Sequence, residues 1–312
     1  MTYISSVKEK KTRDISLGTI ICLLLLVIML YLGSEMKSGV LYGINICFTT
    51  VIPTLFPFFI LSDFWSSSIY IKKDGAFARI FERLFGISGT ALPSFFLGTV
   101  CGFPLGVKSA AGLYENKMIN KDELERLIGF ANNPSIAFVI SGIGAGIYSD
   151  TSVGIRLYIS VVLSAILVGA VFKQKRDKNE NSHIIIRQKF DLVGSIKSAG
   201  ISSITVSSYI IFFCALINLV KKTVGNRLCV TIISGFLEVT NASFSSASLG
   251  ENLYFLRLPL TAFALGFSGF SVHLQSFALL PKEISKTRYI TMKLLQGLIC
   301  SFLTFLFVLL IK

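Results

Sequence analysis

The chain contains several uninterrupted apolar runs that are each long enough to cross a lipid bilayer. The clearest runs cover residues 15–32, 153–172, 201–220 and 290–311. A helix needs about 20 mostly apolar residues to span the hydrocarbon core of a membrane. Because 53% of the residues are hydrophobic and only 15% are charged, much of this apolar surface has no soluble core to fill and must face lipid. The pattern predicts an all-α polytopic membrane protein.

The basic residues fall mainly in short segments between the apolar runs. A net charge of +13 would indicate nucleic-acid binding in a soluble protein. Here the same charge is expected to set the orientation in the membrane, because cytoplasmic loops carry an excess of Lys and Arg. We therefore expect membrane lipid, and no nucleic acid, to surround the chain.

The order of segments predicts two related halves. We expect an N-terminal tail and anchor helix at residues 1–35, a first repeat at 36–172, a charged cytoplasmic linker at 173–191 and a second repeat at 192–312. Each half contains a segment rich in small residues, then a polar and interrupted apolar stretch, and finally a clean apolar helix. The basic tail before the anchor helix is typical of a signal peptide, but no small-residue cleavage site follows, so we expect the helix to be retained.

A count of loop charges gives the predicted topology. We place seven crossings at residues 15–32, 42–65, 127–148, 153–172, 199–220, 259–280 and 290–311. Two further segments, 86–110 and 228–250, are expected to be re-entrant hairpins, although from the residues alone they could also cross. With a cytoplasmic N-terminus and an external Lys312, 23 of the 30 Lys and Arg residues lie on the inner side. Three crossings in each half make the two halves inverted repeats, which in many secondary transporters enclose a site at the bilayer midplane.

Four segments combine helix breakers with polar side chains at membrane depth: residues 98–108, 132–135, 238–241 and 268–275. Interrupted helices leave free N–H and C=O groups, which are tolerated there only against protein or a water-filled cavity. Any single break could also be a packing bend. The candidate ligand-binding residues are Gly102, Phe103, Pro104, Asn132, Asn133, Ser135, Glu238, Thr240, Asn241, Ser271, His273 and Gln275.

Glu238 is the most informative of these residues, because an ionisable group inside a membrane segment is costly and usually functional. The alternative is that Glu238 lies nearer the aqueous edge. His273 could bind a ligand or be a satisfied structural histidine. The other histidine, His183, falls in the linker, so we expect no metal site and no cofactor, while coupling to Na⁺ or H⁺ stays open.

A charged stretch follows the first predicted hairpin. Asn120 is a plausible N-cap for a helix that begins near Lys121, and we expect residues 115–126 to form a solvated helix on the inner face. The chain has no nucleophile-elbow, zinc-protease, phosphate-loop or dinucleotide fingerprint. Enzyme activity is therefore not expected.

The residues at 101–108 (Cys-Gly-Phe-Pro-Leu-Gly-Val-Lys), at 132–134 (Asn-Asn-Pro), at 237–241 (Leu-Glu-Val-Thr-Asn) and at 269–275 (Gly-Phe-Ser-Val-His-Leu-Gln) resemble the YlbJ-type sporulation integral membrane proteins. The resemblance covers most of residues 36–312. It implies a nucleoside-recognition or Gate domain, distantly similar to concentrative nucleoside transporters, with two re-entrant hairpins and two broken helices of opposite orientation around the site. Here Pro134, Ser135 and Ile136 replace the usual glycine-rich pattern after the Asn pair.

The resemblance implies a transporter-like protein of the plasma membrane that handles a small polar solute, with nucleosides as candidates, and that is required for spore cortex formation. The competing interpretation is a non-transporting scaffold or sensor in a sporulation assembly. Partners would be the solute, other sporulation membrane proteins or a second copy of the chain.

Overall fold

The computed structural model describes residues 17–68, 75–175 and 191–310, and every regular element in these ranges is helical. Several predictions concern residues outside these ranges. They are the cytoplasmic placement of the N-terminal tail, the centre of the linker with His183, and the external position of Lys312.

The described residues up to 175 contain eight α-helices, the first of which belongs to the predicted anchor segment. They are α1 (Leu17–Tyr31), α2 (Gly33–Ile46), α3 (Ile52–Ser68), α4 (Ala76–Phe85), α5 (Leu92–Val100), α6 (Leu105–Glu115), α7 (Lys121–Ala131) and α8 (Thr151–Val171). Two π-helical segments, Cys47–Val51 and Phe138–Ala145, lie between α2 and α3 and between α7 and α8. A short 3-10 turn, Gly89–Ala91, leads into α5.

The second half contains six α-helices and one 3-10 turn, Glu251–Leu253. The helices are α9 (Leu192–Val224), α10 (Arg227–Leu237), α11 (Val239–Ala247), α12 (Tyr254–Phe267), α13 (Gly269–Ala278) and α14 (Lys286–Leu310).

The same order of elements occurs twice along the described chain. A long helical stretch (α2–α3, then α9) is followed by a helical hairpin (α5–α6, then α10–α11), a broken helix and a long closing helix (α8, then α14). The opening stretches of the two halves pack on each other, and so do the two closing helices. The division into two repeats, and their inversion across a membrane, stay predictions.

Small residues bring the two opening helices together. A Cβ added at Gly39 of α2 would lie 2.7 Å from the Cα of Ala215 in α9, and one at Gly43 would lie 2.9 Å from the Cα of Ile211. In membranes, helices associate through such close backbone contacts, since lipid removes the hydrophobic drive between them. The contact joins the first half to the second.

Five helical stretches in the described residues have the length and apolar composition of a membrane span. They are Gly33–Leu61, Thr151–Val171, Leu192–Val224, Glu251–Ala278 and Lys286–Leu310. The predicted all-helical, multi-pass architecture is therefore supported, but the count of seven crossings is not reproduced.

Two of the predicted crossings, 15–32 and 127–148, are not among these five stretches. The predicted crossing at 15–32 appears as the 15-residue α1, and a new helix begins directly at Gly33 rather than near residue 42. The predicted crossing at 127–148 is interrupted after α7, where Pro134 lacks the N–H that a continuous helix would require. Length alone therefore misses the break inside the predicted crossing at 127–148.

The first predicted hairpin folds back on itself in the structure. Ser94 Oγ and Ser109 Oγ are 2.7 Å apart, and a Cβ added at Gly98 would lie 2.8 Å from the Cα of Gly106. This register is that of two antiparallel arms. The arms have nine and 11 residues. At about 1.5 Å per residue they reach roughly half of a ~30 Å hydrocarbon core. In the second hairpin the first arm has 11 residues and the second arm has nine.

The predicted N-cap at Asn120 is confirmed. Its side chain accepts a hydrogen bond from the Glu123 backbone N–H, and the Glu123 carboxylate accepts one from the Asn120 backbone N–H. This reciprocal pair satisfies two N–H groups that the first turn leaves free.

The expected solvated helix after this cap is wrong, because α7 is buried from Glu123 to Ala131. Glu123 accepts a hydrogen bond from the Ser88 N–H at 2.8 Å, and Glu125 accepts one from the Ser285 N–H at 2.9 Å. Arg126 donates to the Phe85 carbonyl at 2.9 Å. These charged side chains form hydrogen bonds to the backbone of other segments, and they do not form a solvent-exposed surface.

Asp122 connects α7 to the closing helix α14. Its carboxylate accepts hydrogen bonds from Arg126 Nε at 2.8 Å and from Arg288 Nη1 at 2.7 Å. Partial burial alone would raise the pKa of Asp122, but the hydrogen bonds from the two guanidinium groups outweigh burial and hold this pKa below its ordinary value. The ion cluster gathers the predicted inner-side ends of α7 and α14 in one place.

Candidate functional site

The tip of the second hairpin is a single extended residue, Glu238, between α10 and α11. Its Oε1 accepts a hydrogen bond from the Thr240 N–H at 2.9 Å, and its Oε2 accepts from the Asn241 N–H at 2.7 Å and from Asn241 Nδ2 at 3.0 Å. Glu238 is 2% exposed, so its carboxylate is buried within the protein. The carboxylate caps α11, where the helix dipole favours negative charge.

The second broken helix meets this tip. Ser268 and Gly269 have φ values of 73° and 63°, which end α12 and allow α13 to start in a new direction. A Cβ added at Gly269 would lie 3.1 Å from the Cα of Glu238, so only glycine fits comfortably between the break and the hairpin. The predicted interruption at 268–275 is thus confined to its first residues, and Ser271 and Gln275 lie on a regular helix.

The first hairpin meets the first broken helix in a similar way. The Phe103 N–H donates to the Asn133 carbonyl at 2.8 Å, and the Asn133 N–H donates to the Gly98 carbonyl at 3.3 Å. Gly102 has a φ of 90°, and a Cβ there would lie 2.6 Å from the Ser135 nitrogen. The hairpin therefore satisfies backbone groups that the break after α7 exposes.

The tips of the two hairpins, the first helix break and the helix after the second break border one cavity between the two halves of the chain. It is lined by Val51, Leu55, Gly102, Phe103, Ser135, Phe138, Val206, Ile210, Glu238, Val239, Thr240, Ser271, Val272 and Gln275. The space between atoms is about 400 Å³, but only about 20 Å³ of it admits the centre of a water molecule. A buried water needs roughly 10–15 Å³ by that measure, so the cavity is closed around room for about one water.

Polar and aromatic groups divide the cavity wall. The oxygen Oε1 of Gln275 has no hydrogen-bond partner within the described part of the chain. The hydroxyl-bearing Ser271 stands four residues before Gln275, so both lie on one face of α13. Phe103 and Phe138 contribute rings to the same wall. The residues of the wall thus include a carboxylate, an amide, hydroxyls and two aromatic rings, and most of the wall surface is apolar.

Seven of the 12 predicted ligand-binding residues line this cavity, and five do not. The seven are Gly102, Phe103, Ser135, Glu238, Thr240, Ser271 and Gln275. Pro104 is half-buried at the start of α6. Asn241 is buried behind Glu238, where its Nδ2 also lies 2.8 Å from Cys214 Sγ.

His273 is buried among aromatic rings rather than in the cavity wall. Its Nδ1 lies 2.6 Å from the Gly269 carbonyl. Its ring packs against the rings of Phe267 and Tyr289, tilted to the first and edge-on to the second. Its Nε2 has no partner within the described residues. The surroundings agree with the structural role that the sequence left open.

Asn132 and Asn133 lie in a separate buried polar network with α13 and α14. Asn132 Nδ2 donates to Tyr289 Oη at 2.7 Å and to Ser276 Oγ at 2.9 Å. Lys293 Nζ donates to the Asn132 carbonyl at 2.8 Å. The two asparagines therefore join the first break to the closing helix of the other half instead of facing the cavity.

Sequence reasoning missed the contribution of α14 to this network. Lys293 is fully buried, although the charge count above treats it as a loop residue on the inner side. The reason is that a lysine near a helix end is usually assumed to reach the membrane surface. The available signal is a spacing of three or four residues that places one row of polar side chains on a single helix face: Tyr289, Lys293, Gln296, Cys300 and Thr304.

Comparison with known proteins gives one informative match. No family model matches the chain, and no solved structure matches it. The chain is 25% identical, over an alignment of 305 residues, to a protein named sporulation integral membrane protein YlbJ from Bacillus subtilis (strain 168). The alignment covers 82% of this chain and 73% of the relative. The predicted resemblance to the YlbJ-type family is confirmed. Together with the five candidate spans, the match to a YlbJ-type protein supports an integral, multi-pass membrane protein.

Proposed function

We propose that the chain is a transporter-like protein that binds a small polar solute in the cavity between its two halves. The observation that carries the proposal is that both hairpin tips, the first helix break and the helix that follows the second break border this one cavity. In transporters built from repeats, discontinuous helices meet at the substrate site in this manner, and rocking of the halves exposes it to either side.

The chemistry of the wall indicates the kind of solute. Glu238 and the free Gln275 oxygen can accept hydrogen bonds from hydroxyl or amine groups, and the Phe103 and Phe138 rings can stack on a planar group. A carboxylate in the wall disfavours anions. These features suit a neutral, nucleoside-like solute, which agrees with the nucleoside-recognition domain that the family resemblance implies.

The small volume indicates that the described conformation is closed. About 20 Å³ of water-accessible space cannot hold a nucleoside, so solute binding requires the halves to separate at the cavity. Coupling to a proton through Glu238 is part of the proposal. The proposal includes no enzymatic step.

The proposal also covers the location and cellular role of the chain, because its relative is named a sporulation integral membrane protein. We place the chain in the plasma membrane with its N-terminus in the cytoplasm, acting in spore and spore-cortex formation. Burial of Lys293 leaves 22 of the basic residues on the predicted inner side, so the charge bias still favours this orientation.

Uptake of radiolabelled nucleosides into proteoliposomes tests the transport proposal, and Glu238→Gln tests the site. An amide offers one acceptor oxygen where the carboxylate accepts from two backbone N–H groups, so we expect a cap loss of about 1 kcal/mol with the fold intact. Uptake should fall at least tenfold. The matched control is Glu115→Gln at an exposed position of α6, which should retain full uptake.

Complementation of a Bacillus subtilis strain that lacks YlbJ tests the cellular role through the count of heat-resistant spores. We expect complementation by the wild-type chain and by Glu115→Gln, but not by Glu238→Gln. Full complementation by Glu238→Gln, together with no uptake of any solute by the wild type, would instead establish the non-transporting scaffold or sensor.

A further inference from the structure

Lys293 is a buried cation whose partners are all neutral. Its Nζ donates to the Asn132 carbonyl at 2.8 Å and to Gln296 Oε1 at 2.7 Å. No ion pair involves Lys293 among the residues that the structure describes. An isolated charge inside a membrane protein is costly and persists where it has a task.

The oxygen of Asn132 lies at a position that favours positive charge. Asn132 is the C-cap of α7, with a φ of −98° and a ψ of 87°, so its carbonyl stands at the negative end of a half-helix. Unwound backbone carbonyls and half-helix C-termini are the groups that coordinate small cations in transporters with broken helices. The Lys293 ammonium occupies the position that such a cation would take.

The neighbouring amides are oriented for a cation. Asn133 Nδ2 donates to the Phe130 carbonyl at 2.8 Å, which can only accept, so Asn133 Oδ1 must face the other way. That oxygen accepts from Gln296 Nε2 at 2.7 Å. Gln296 is therefore fixed with its Oε1 toward Lys293. The hydrogen bonds therefore run from the Lys293 amine to Gln296, from Gln296 to Asn133 and from Asn133 to the Phe130 carbonyl, and the Asn132 carbonyl accepts a second bond from the same amine.

We infer that Lys293 is a tethered cation that fills a cation site formed by the Asn132 carbonyl and Gln296 Oε1 at the end of α7. The first helix break then needs no free Na⁺ or K⁺ to hold its geometry. The site is distinct from the cavity at Glu238, and the inference does not rest on the proposed function, since it concerns stability rather than solute or flux.

Thermal unfolding of the purified full-length chain in detergent tests the inference. Each protein is measured in sodium, potassium, ammonium and choline chloride at equal ionic strength. Wild type should show the same Tm in all four salts. Lys293→Ala removes the ammonium and opens space, so its Tm should drop by several degrees in choline and recover by at least half of that loss in one of the small-cation salts.

Two control variants separate charge from volume. Lys293→Met fills the space without charge, so it should lose stability in every salt and recover in none. Lys197→Ala removes an exposed lysine of α9 and should match wild type throughout. If Lys293→Ala yields folded protein only when it is purified in a small-cation salt, that result also supports the site.

Three results would overturn the inference. One is a Lys293→Ala variant as stable as wild type in choline. Another is a destabilised variant that no small cation restores, including a variant that is unfolded in every salt. The third is a wild-type Tm that rises specifically with Na⁺ or K⁺, because it would mean that a free cation still occupies this site or replaces the lysine.

Discussion

Gly106 of α6 is a position where one added methyl group should push the first hairpin away from the broken helix. A Cβ at Gly106 would lie 2.3 Å from the Ala131 carbonyl oxygen and 2.8 Å from the Cα of Gly98. Both are backbone atoms that cannot rotate away. Gly112 lies in the same helix, and nothing stands within 4 Å of its added Cβ.

The two Gly→Ala substitutions should change stability in opposite directions. In a helix, alanine is favoured over glycine by up to about 1 kcal/mol, and Gly112→Ala should gain most of this. At Gly106 the same gain is outweighed by overpacking, which costs about 1–3 kcal/mol or more. Because the helix gain is common to both variants, we expect them to differ by the overpacking cost, roughly 1–3 kcal/mol.

Thermal unfolding in detergent, with both variants at equal concentration, measures the difference. Because each kcal/mol corresponds to about 2–4 °C in a chain of this size, Gly106→Ala should unfold several degrees below wild type and Gly112→Ala slightly above it. A Tm for Gly106→Ala equal to or above that of Gly112→Ala would refute the described packing of the hairpin against the end of α7.

Two further predictions concern the polar contacts of α14. Protonation of Asp122 would weaken its hydrogen bonds to Arg126 and Arg288, and its folded-state pKa is depressed below the ordinary aspartate value of 3.8. Its stabilising contribution is therefore complete above that value and lost as the pH falls through the depressed pKa. Wild type should have a higher Tm than Asp122→Asn at pH 7 and pH 5, and this difference should shrink below about pH 4. A difference that grows on acidification would contradict the predicted role of the Asp122 carboxylate. Tyr289→Phe removes the hydroxyl that accepts from Asn132 Nδ2, and it should cost about 1–2 kcal/mol in thermal or denaturant unfolding. Tyr254→Phe, at an exposed ring, should be neutral.

Much of the fold follows from local rules that the sequence displays directly. The helix break at Pro134 follows from the missing N–H, and the cap at Asn120 follows from its spacing to Glu123. The hairpin tips at Gly102 and Glu238 are marked by helix breakers or a charge inside an apolar segment. Each of these signals acts within a few residues, so it can be identified without the tertiary structure.

The direction of side chains at a break depends on tertiary packing instead. Asn132 and Asn133 occupy the predicted interruption, yet their side chains turn toward Tyr289 and Gln296, about 160 residues away in sequence. The sequence alone could not show whether a lysine near the start of an apolar helix reaches solvent or is buried. His273 is similar, because only the surrounding rings distinguish a structural histidine from a ligand.

Cross-linking of cysteines at Ser135 and Ser271 tests most directly whether the two halves share one cavity. The double variant carries a protease site inserted in the linker and is treated with a short bifunctional thiol reagent that spans about the width of a side-chain cavity. Each single-cysteine variant measures the background from the native cysteines, and Ser135→Cys with Ser245→Cys is the matched control, because Ser245 lies on α11 outside the cavity. After cleavage of the linker, we expect the halves of the Ser135–Ser271 pair to stay joined until reduction and those of the control to separate. Separation of the Ser135–Ser271 pair despite labelling of both cysteines would contradict a cavity shared by the two halves.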